Sequence, residues 1–95
     1  MKGYFIFTKE KTLDAGEMAV YMEKVGATFA GHDVKVLAMY GKHEVLEGDA
    51  TEGAVIAEFP SVAAAKAWYD SPAYVEVRKH RFAGAEYRAI LVEGV

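Results

Sequence analysis

Arg81 is the residue of this sequence best suited to hold an anion. It ends the basic run of residues 78–81, and at helical spacing it shares a face with Tyr74 and Val77. The planar guanidinium of a half-buried arginine can bind a carboxylate or a phosphate through two parallel hydrogen bonds. A structural role is the alternative, because basic side chains in the last turns of a helix stabilise it by about 0.3–1 kcal/mol each.

Glu58 is the acidic residue of an otherwise apolar strand pattern. Strict alternation places it on one face with Ala54 and Ile56, so its carboxylate is expected to be partly buried. A buried carboxylate could act as a general base, which makes Glu58 a weak catalytic candidate. Buried carboxylates in proteins are usually neutralised by a partner. We therefore expect Glu58 to pair with Arg81.

Aromatic side chains are the second group that could bind a ligand. Interleaved aromatics at strand and helix spacing usually form a core. The alternative is a flat pocket between sheet and helices, with phenol hydroxyls donating to a small ring compound. The predicted ligand-binding residues are Arg81, Tyr74, Tyr69, Trp68, Tyr40 and Tyr4.

Other kinds of site have little support in the sequence. There is no cysteine, which excludes disulfides, thiolate catalysis and thiolate metal ligands. His32, His43 and His80 are scattered, so no metal site is predicted. Ser61 and Ser71, the only two serines, both precede helices and are expected to cap them. We expect no cofactor.

Composition limits the class of protein. The 95 residues are expected to form one domain, 1–95, and the net charge of −3 comes from intermixed acidic and basic residues. This is not the clustered basic surface that binds nucleic acid. No secretion signal is recognisable, and no apolar run approaches the ~20 residues that span a bilayer. We expect a soluble, cytoplasmic protein that does not bind membranes.

The hydrophobic pattern predicts elements in the order β-α-β-β-α-β. Asp14 followed by Glu17 predicts a helix N-cap with a capping-box partner. Lys9 to Leu13 is expected to be a polar connection, and Glu44–Glu47 to continue the second strand past a bulge. The predicted strands are Gly3–Thr8, Val34–Tyr40, Ala54–Phe59 and Tyr87–Glu93, and the predicted helical segments are Asp14–Phe29, Val62–Tyr69 and Ser71–Gly84.

This order predicts an α+β, ferredoxin-like fold with both helical segments on one face of a four-stranded antiparallel sheet. The other face of such a sheet is normally polar when it meets water. Here the strands are apolar on both sides, as Phe5 and Phe7 against Tyr4 and Ile6 illustrate. We therefore expect a homodimer whose two sheet faces pack together, a dimeric α/β barrel.

The sequence also resembles a family of uncharacterised proteins, domain of unknown function 1330, along nearly its whole length. The resemblance is carried by the motif Glu58-Phe59-Pro60-Ser61, by Ala67-Trp68-Tyr69, by Ser71-Pro72 with Tyr74, and by the closing Val92-Glu93-Gly94. It implies the dimeric α/β-barrel superfamily, whose members include cofactor-free monooxygenases, small isomerases and haem enzymes. The sequence departs from the family pattern at Met39-Tyr40, where members often carry Arg-Gly.

Two functions remain open on these grounds. One is a cofactor-independent enzyme, monooxygenase- or isomerase-like, or a binder, acting on a small organic molecule of aromatic or anionic character. The other is a dimeric binding or structural module without catalysis. Fold alone does not choose between them.

Overall fold

The computed structural model describes residues 1–95 and has the predicted α+β, ferredoxin-like layout. Its strands form one antiparallel sheet in the order β2-β3-β1-β4. The elements are β1 (Gly3–Thr12), α1 (Ala15–Lys24), a short 3-10 helix (Val25–Phe29), β2 (Lys35–Met39), β3 (Gly53–Phe59), α2 (Val62–Tyr69), α3 (Pro72–Gly84) and β4 (Ala85–Glu93).

Two predicted boundaries are wrong. The stretch from Lys9 to Thr12 is not a loop, because β1 continues through it and pairs with β4 beyond a bulge. Glu44–Glu47 forms no strand, because the ladder of β2 ends at Met39 and the chain then enters an exposed loop. Tyr40, the next residue, has a left-handed φ of +52°, which turns the chain out of the extended conformation of a strand.

The helix caps follow the prediction with one exception. Ser61 and Ser71 cap α2 and α3, and the Asp14 carboxylate accepts hydrogen bonds at the start of α1. Glu17 does not complete the capping box. The Asp14 N–H donates to the Gly84 carbonyl oxygen at 3.0 Å, and the Glu17 carboxylate binds the His80 ring nitrogen at 2.6 Å. Tertiary contacts between α1 and α3 thus replace the local pairing.

The helices cover one face of the sheet, and the hydrophobic core lies between the two layers. Phe5 and Phe7 of β1 point into it, beside Ala57 and Phe59 of β3. Trp68 from α2 stacks on Phe59 with ring centroids 5.6 Å apart. This face positions the site described below.

The opposite face of the sheet has no layer over it. Cross-strand partners share a face, so β1 contributes Tyr4 and Ile6 here, and β4 contributes Ile90 and Val92. Ile90 is 50% exposed and Val92 45%. The Cα atoms extend 31 × 31 × 17 Å, as expected for one sheet with one helical layer. No helix is both long enough and apolar enough to cross a membrane.

Candidate ligand-binding pocket

A pocket opens between the helical layer and the sheet, and all four strands, the three α-helices and the 3-10 helix contribute residues to it. Its enclosed volume is about 50 Å³, and it widens towards an open mouth. Arg81 is the one charged residue that lines it. The other lining residues are Phe7, Tyr21, Met22, Val25, Phe29, Val36, Met39, Tyr40, Val55, Ala57, Trp68 and Tyr87.

Arg81 enters this pocket from the last turns of α3 and is only 4% exposed. Its Nε atom is buried without a hydrogen-bond partner, and it takes part in no salt bridge. Aromatic rings surround the guanidinium instead. The distance from its central carbon to the ring centroid is 5.3 Å for Phe7, 5.0 Å for Phe82 and 4.9 Å for Tyr87.

These contacts offset part of the cost of burying the charge. Removing an ion from water costs several kcal/mol, each cation–π contact returns about 0.5–2 kcal/mol, and none of the three brings a negative charge to the guanidinium. Burial alone would lower the pKa of Arg81, but the neighbouring phenols of Tyr74, which is also a hydrogen-bond partner of its guanidinium, and of Tyr21 hold that pKa above its ordinary value. The side chain is therefore a buried cation that lacks an anion.

Two pairs of tyrosine hydroxyls flank Arg81. Tyr40, just after β2, is hydrogen-bonded through its hydroxyl to that of Tyr87 on β4. Tyr21 on α1 and Tyr74 on α3 form the second pair, with their oxygens 2.8 Å apart. Burial raises the pKa of Tyr21, Tyr40 and Tyr87, so all three remain protonated at neutral pH.

Three of the predicted ligand-binding residues line the pocket together: Tyr40, Trp68 and Arg81. Trp68 forms part of its floor, and its indole N–H donates to Thr28 Oγ1 at 3.1 Å. Tyr74 lies behind the pocket, fully buried, with its ring centroid 4.0 Å from that of Trp68.

The two remaining candidates lie elsewhere. Tyr69 stacks on Phe5 away from the pocket, and Arg78 lies 4.4 Å above its ring. Tyr4 is on the open face of the sheet, where its hydroxyl donates to Glu58 Oε2 at 3.1 Å. The structure therefore does not bring Tyr4 or Tyr69 to Arg81.

The predicted pair between Glu58 and Arg81 is wrong. Glu58 faces the open side of the sheet, as alternation from Ala57 requires, whereas Arg81 lies under the helical layer. The partners of Glu58 are Tyr4 and, at 4.0 Å, the Nζ of Lys2. A strand residue points to one face only, and α3 packs on the other.

The histidines stay apart from the pocket. The His43 ring nitrogen lies 3.0 Å from the Thr51 carbonyl oxygen, and His80 contacts Glu17 on the outer side of α1 and α3. No three His, Asp or Glu side chains cluster as metal ligands would.

Two residues of the pocket were missed as candidates from the sequence. Tyr21 belongs to the apolar stripe of α1, and Tyr87 stands at the start of the last predicted strand. Tyr21 could have been found from its helical spacing, which places it on the buried face of α1. Tyr87 required the register of β4, which pairs it with Lys9 of β1.

Comparisons with known proteins identify the family and the fold but no reaction or ligand. The family model described as domain of unknown function (DUF1330) matches residues 2–95. A protein of unknown function from Rhodopseudomonas palustris, RPA0582, is 25% identical with a TM-score of 0.78, covering 99% of this chain and 82% of its own. A comparison with curated proteins gives no match.

Two more distant structures share the fold. A dimeric ferredoxin-like protein of unknown function from Jannaschia sp. CCS1 is 14% identical with a TM-score of 0.71, covering 99% of this chain and all of its own. SnoaB, a cofactor-independent oxygenase from Streptomyces nogalater, is 11% identical with a TM-score of 0.61, covering 99% of this chain and 93% of its own. At these identities the likeness concerns the fold alone.

Proposed function

We propose that this chain, which belongs to the family described as domain of unknown function (DUF1330), binds a small organic anion in the pocket at Arg81. The observation that carries the proposal is the guanidinium, 4% exposed, whose Nε has no partner and whose surroundings hold no carboxylate. An anion placed there would gain the interaction that the protein leaves unused. The apolar remainder of the lining suits an organic body.

A binding role is favoured over a cofactor-independent enzyme by the groups that line the pocket. An isomerase or a proton-abstracting oxygenase needs a group that takes up a proton. The lining contains neither a carboxylate nor an imidazole, and its phenols have raised pKa values. Glu58, the predicted base, faces the other side of the sheet. Turnover of a bound ligand would instead favour the cofactor-independent enzyme over the binding role.

We also propose that the protein is a homodimer that buries the open face of the sheet. The supporting observation is the apolar centre of that face, with Ile6, Ile56 and Ile90 aligned across three strands. A second copy related by a two-fold axis would cover it with the same surface. The ferredoxin-like protein of unknown function from Jannaschia is described as dimeric, which supports a dimer of this fold.

The binding proposal is tested by a thermal-shift screen of small organic anions and their neutral analogues. Ligand that binds only the folded state raises its stability by RT ln(1 + [L]/Kd), about 2.7 kcal/mol at 100 times the Kd. We expect anions to stabilise the wild type and to have no effect on Arg81→Met. An equal response of both proteins would contradict the role of Arg81.

A further inference from the structure

Tyr40 is held over the pocket in a conformation that is unfavourable for its own backbone. Its φ of +52° is left-handed, which costs an ordinary residue roughly 1–2 kcal/mol. Its N–H donates to the Ala54 carbonyl oxygen at 2.8 Å. Its ring rests on Gly53, where an added Cβ would come within 2.7 Å of Tyr40 Cδ1. Strain that the surroundings enforce in this way is a feature of functional sites.

The Tyr40–Tyr87 pair has one hydroxyl hydrogen to spare. Each phenol carries one hydrogen and can accept as well as donate. When one hydroxyl donates to the other, the second keeps its own hydrogen, and neither hydroxyl has another hydrogen-bond partner. The pair is part-buried and lines the pocket, so this hydrogen is available to a ligand oxygen.

The side chains that carry the spare hydrogen and the unpartnered Nε are neighbours. The Arg81 guanidinium carbon lies 4.9 Å from the centroid of the Tyr87 ring. Arg81, Tyr40 and Tyr87 all line the same pocket, and the only oxygen acceptors among its lining side chains are phenol hydroxyls. A ligand with two acceptor oxygens on one side fits this pair of donors.

The charge and the size of the pocket restrict the ligand further. A single arginine balances one negative charge, whereas a phosphate dianion would leave a second charge buried among apolar groups. An engineered cavity that holds benzene measures about 150 Å³, so the enclosed volume of about 50 Å³ takes only part of one ring and the rest of a ligand lies in the open mouth. Flat aromatic walls formed by Phe7, Phe29 and Trp68 suit a planar body.

Resting on the proposed function, we propose that Arg81 and the Tyr40–Tyr87 pair together bind the carboxylate of a planar monocarboxylic acid of about one ring. Arg81 supplies the charge and one donor to the carboxylate. The tyrosine pair supplies a second donor, and the charge of Arg81 favours a carboxylate over a neutral amide.

The test measures the affinity of benzoate and of its neutral analogue benzamide by isothermal titration calorimetry. The informative variant is the double substitution Tyr40→Phe with Tyr87→Phe, which removes both hydroxyls and keeps both rings. Either single variant can leave one hydroxyl hydrogen in place, so the pair is removed together. Tyr4→Phe is the matched control, since it removes a phenol hydroxyl on the opposite face of the sheet. Circular dichroism confirms that each variant is folded.

We expect the wild type and Tyr4→Phe to prefer benzoate over benzamide, and the double variant to bind benzoate about 10- to 100-fold more weakly, as for loss of a hydrogen bond to a charged group.

Unchanged benzoate affinity in the folded double variant, with binding lost in Arg81→Met, would overturn the role of the tyrosine pair and leave the proposed function intact. Binding of inorganic phosphate at Arg81 without benzoate binding would overturn the carboxylate class alone. If neither probe nor any anion of the screen binds, the proposed function fails together with this inference. If the double variant does not fold, a crystal structure of the wild type with benzoate replaces it, and a carboxylate beyond hydrogen-bond distance of both tyrosine hydroxyls would contradict the proposal.

Discussion

Arg81 combines two properties that seldom occur together in a small protein, near-complete burial and the lack of a counter-ion. Evolution usually removes such a group or gives it a partner, because an unpaired buried charge lowers the stability of the folded state. A buried charge without a partner is typical of a binding site, where the groups needed for function lower the stability of the folded state. The phenol hydroxyls around Arg81 make its surroundings more polar but do not neutralise its charge.

Replacing Arg81 by methionine should therefore stabilise the ligand-free protein. Methionine has a similar length, fills the same space with apolar atoms, and removes the desolvation cost of the guanidinium. We expect the free energy of unfolding to rise by about 1–3 kcal/mol, measured by urea denaturation without ligand. A loss of stability instead would mean that the contacts with Phe7, Phe82 and Tyr87 outweigh that cost.

The buried phenols predict a fall in stability at alkaline pH. Their pKa values are raised in the folded state, whereas in the unfolded chain they ionise near the ordinary value of about 10. Their contribution is thus fully present below pH ~10 and is lost as the pH rises towards the folded pKa, by about 1.4 kcal/mol per pH unit for each phenol.

Urea denaturation between pH 8 and 11 measures this effect, with absorbance at 295 nm reporting ionised tyrosine. The Tyr40→Phe, Tyr87→Phe double variant is the control and should lose less stability over the same interval. Ionisation of all six tyrosines near pH 10 in the folded protein would show that these phenols are open to solvent.

At the scale of elements, the junction of α2 and α3 fixes where Tyr74 and Arg81 lie. Ser71 Oγ accepts from the Tyr74 N–H at 3.4 Å and donates to the Trp68 carbonyl oxygen at 2.7 Å. It therefore joins the end of one helix to the start of the next. Ser61, at the start of α2, makes the capping bond alone, to Ala64 N at 3.0 Å.

Comparing Ser71→Ala with Ser61→Ala separates the stability that a helix cap contributes from the stability contributed by the hydrogen bond that links α2 to α3. Loss of a cap costs about 0.5–2 kcal/mol, and each further hydrogen bond about 0.5–1.5 kcal/mol. We expect chemical denaturation to show a larger loss for Ser71→Ala than for Ser61→Ala. Equal losses would mean that the bond to Trp68 contributes nothing net, and lost ligand binding at unchanged stability would give Ser71 a role in the site.

The approach of α1 to α3 also depends on one small residue. Gly84 ends α3 against α1, and a Cβ there would come within 2.9 Å of the backbone nitrogen of Met18. This closeness brings the Tyr21 and Tyr74 hydroxyls into contact across the two helices. The geometry of the pocket is thus set by helix packing as much as by its own side chains.

On the scale of the whole molecule, the two faces of the sheet have separate roles. The helix-covered face contains the core and the Arg81 pocket, whereas the open face carries an apolar centre and a more open hollow lined by Ile6, Thr8, Arg88 and Ile90. A dimer formed through the open face would leave the Arg81 pocket accessible from the helical side. Mutations on the open face would then affect dimer formation without affecting ligand binding, and mutations in the pocket would do the reverse.

Introducing a charge at the centre of the open face tests the dimer. Light scattering with size exclusion should give the wild type twice the chain mass of 10.4 kDa at micromolar concentration. Ile90→Glu should shift the mass towards the monomer, because the carboxylate would be buried in an interface of about 1,200–2,000 Å². Leu13→Glu, at a 54% exposed apolar residue outside this face, is the matched control. A monomeric wild type would contradict the proposed assembly.

The element order was determined by local signals in the sequence. The N-caps at Asp14, Ser61 and Ser71 depend on residues a few positions apart, and these predictions are confirmed. The reach of β1 to Thr12 was not foreseeable in this way, because it depends on pairing with β4 over 70 residues later. Local patterns cannot report such a partner.

The candidate site was decided by tertiary structure. Sequence spacing placed Arg81 on the inner side of its helix, but the choice of partner depended on which sheet face each strand residue meets. Glu58 falls on one face and Arg81 under the other, so the guanidinium is left with phenols and no carboxylate. Tyr87 reaches Tyr40 only because β4 and β2 flank the same pocket from opposite edges of the sheet. Contacts between residues so distant in the chain follow from topology and packing, which no local pattern encodes.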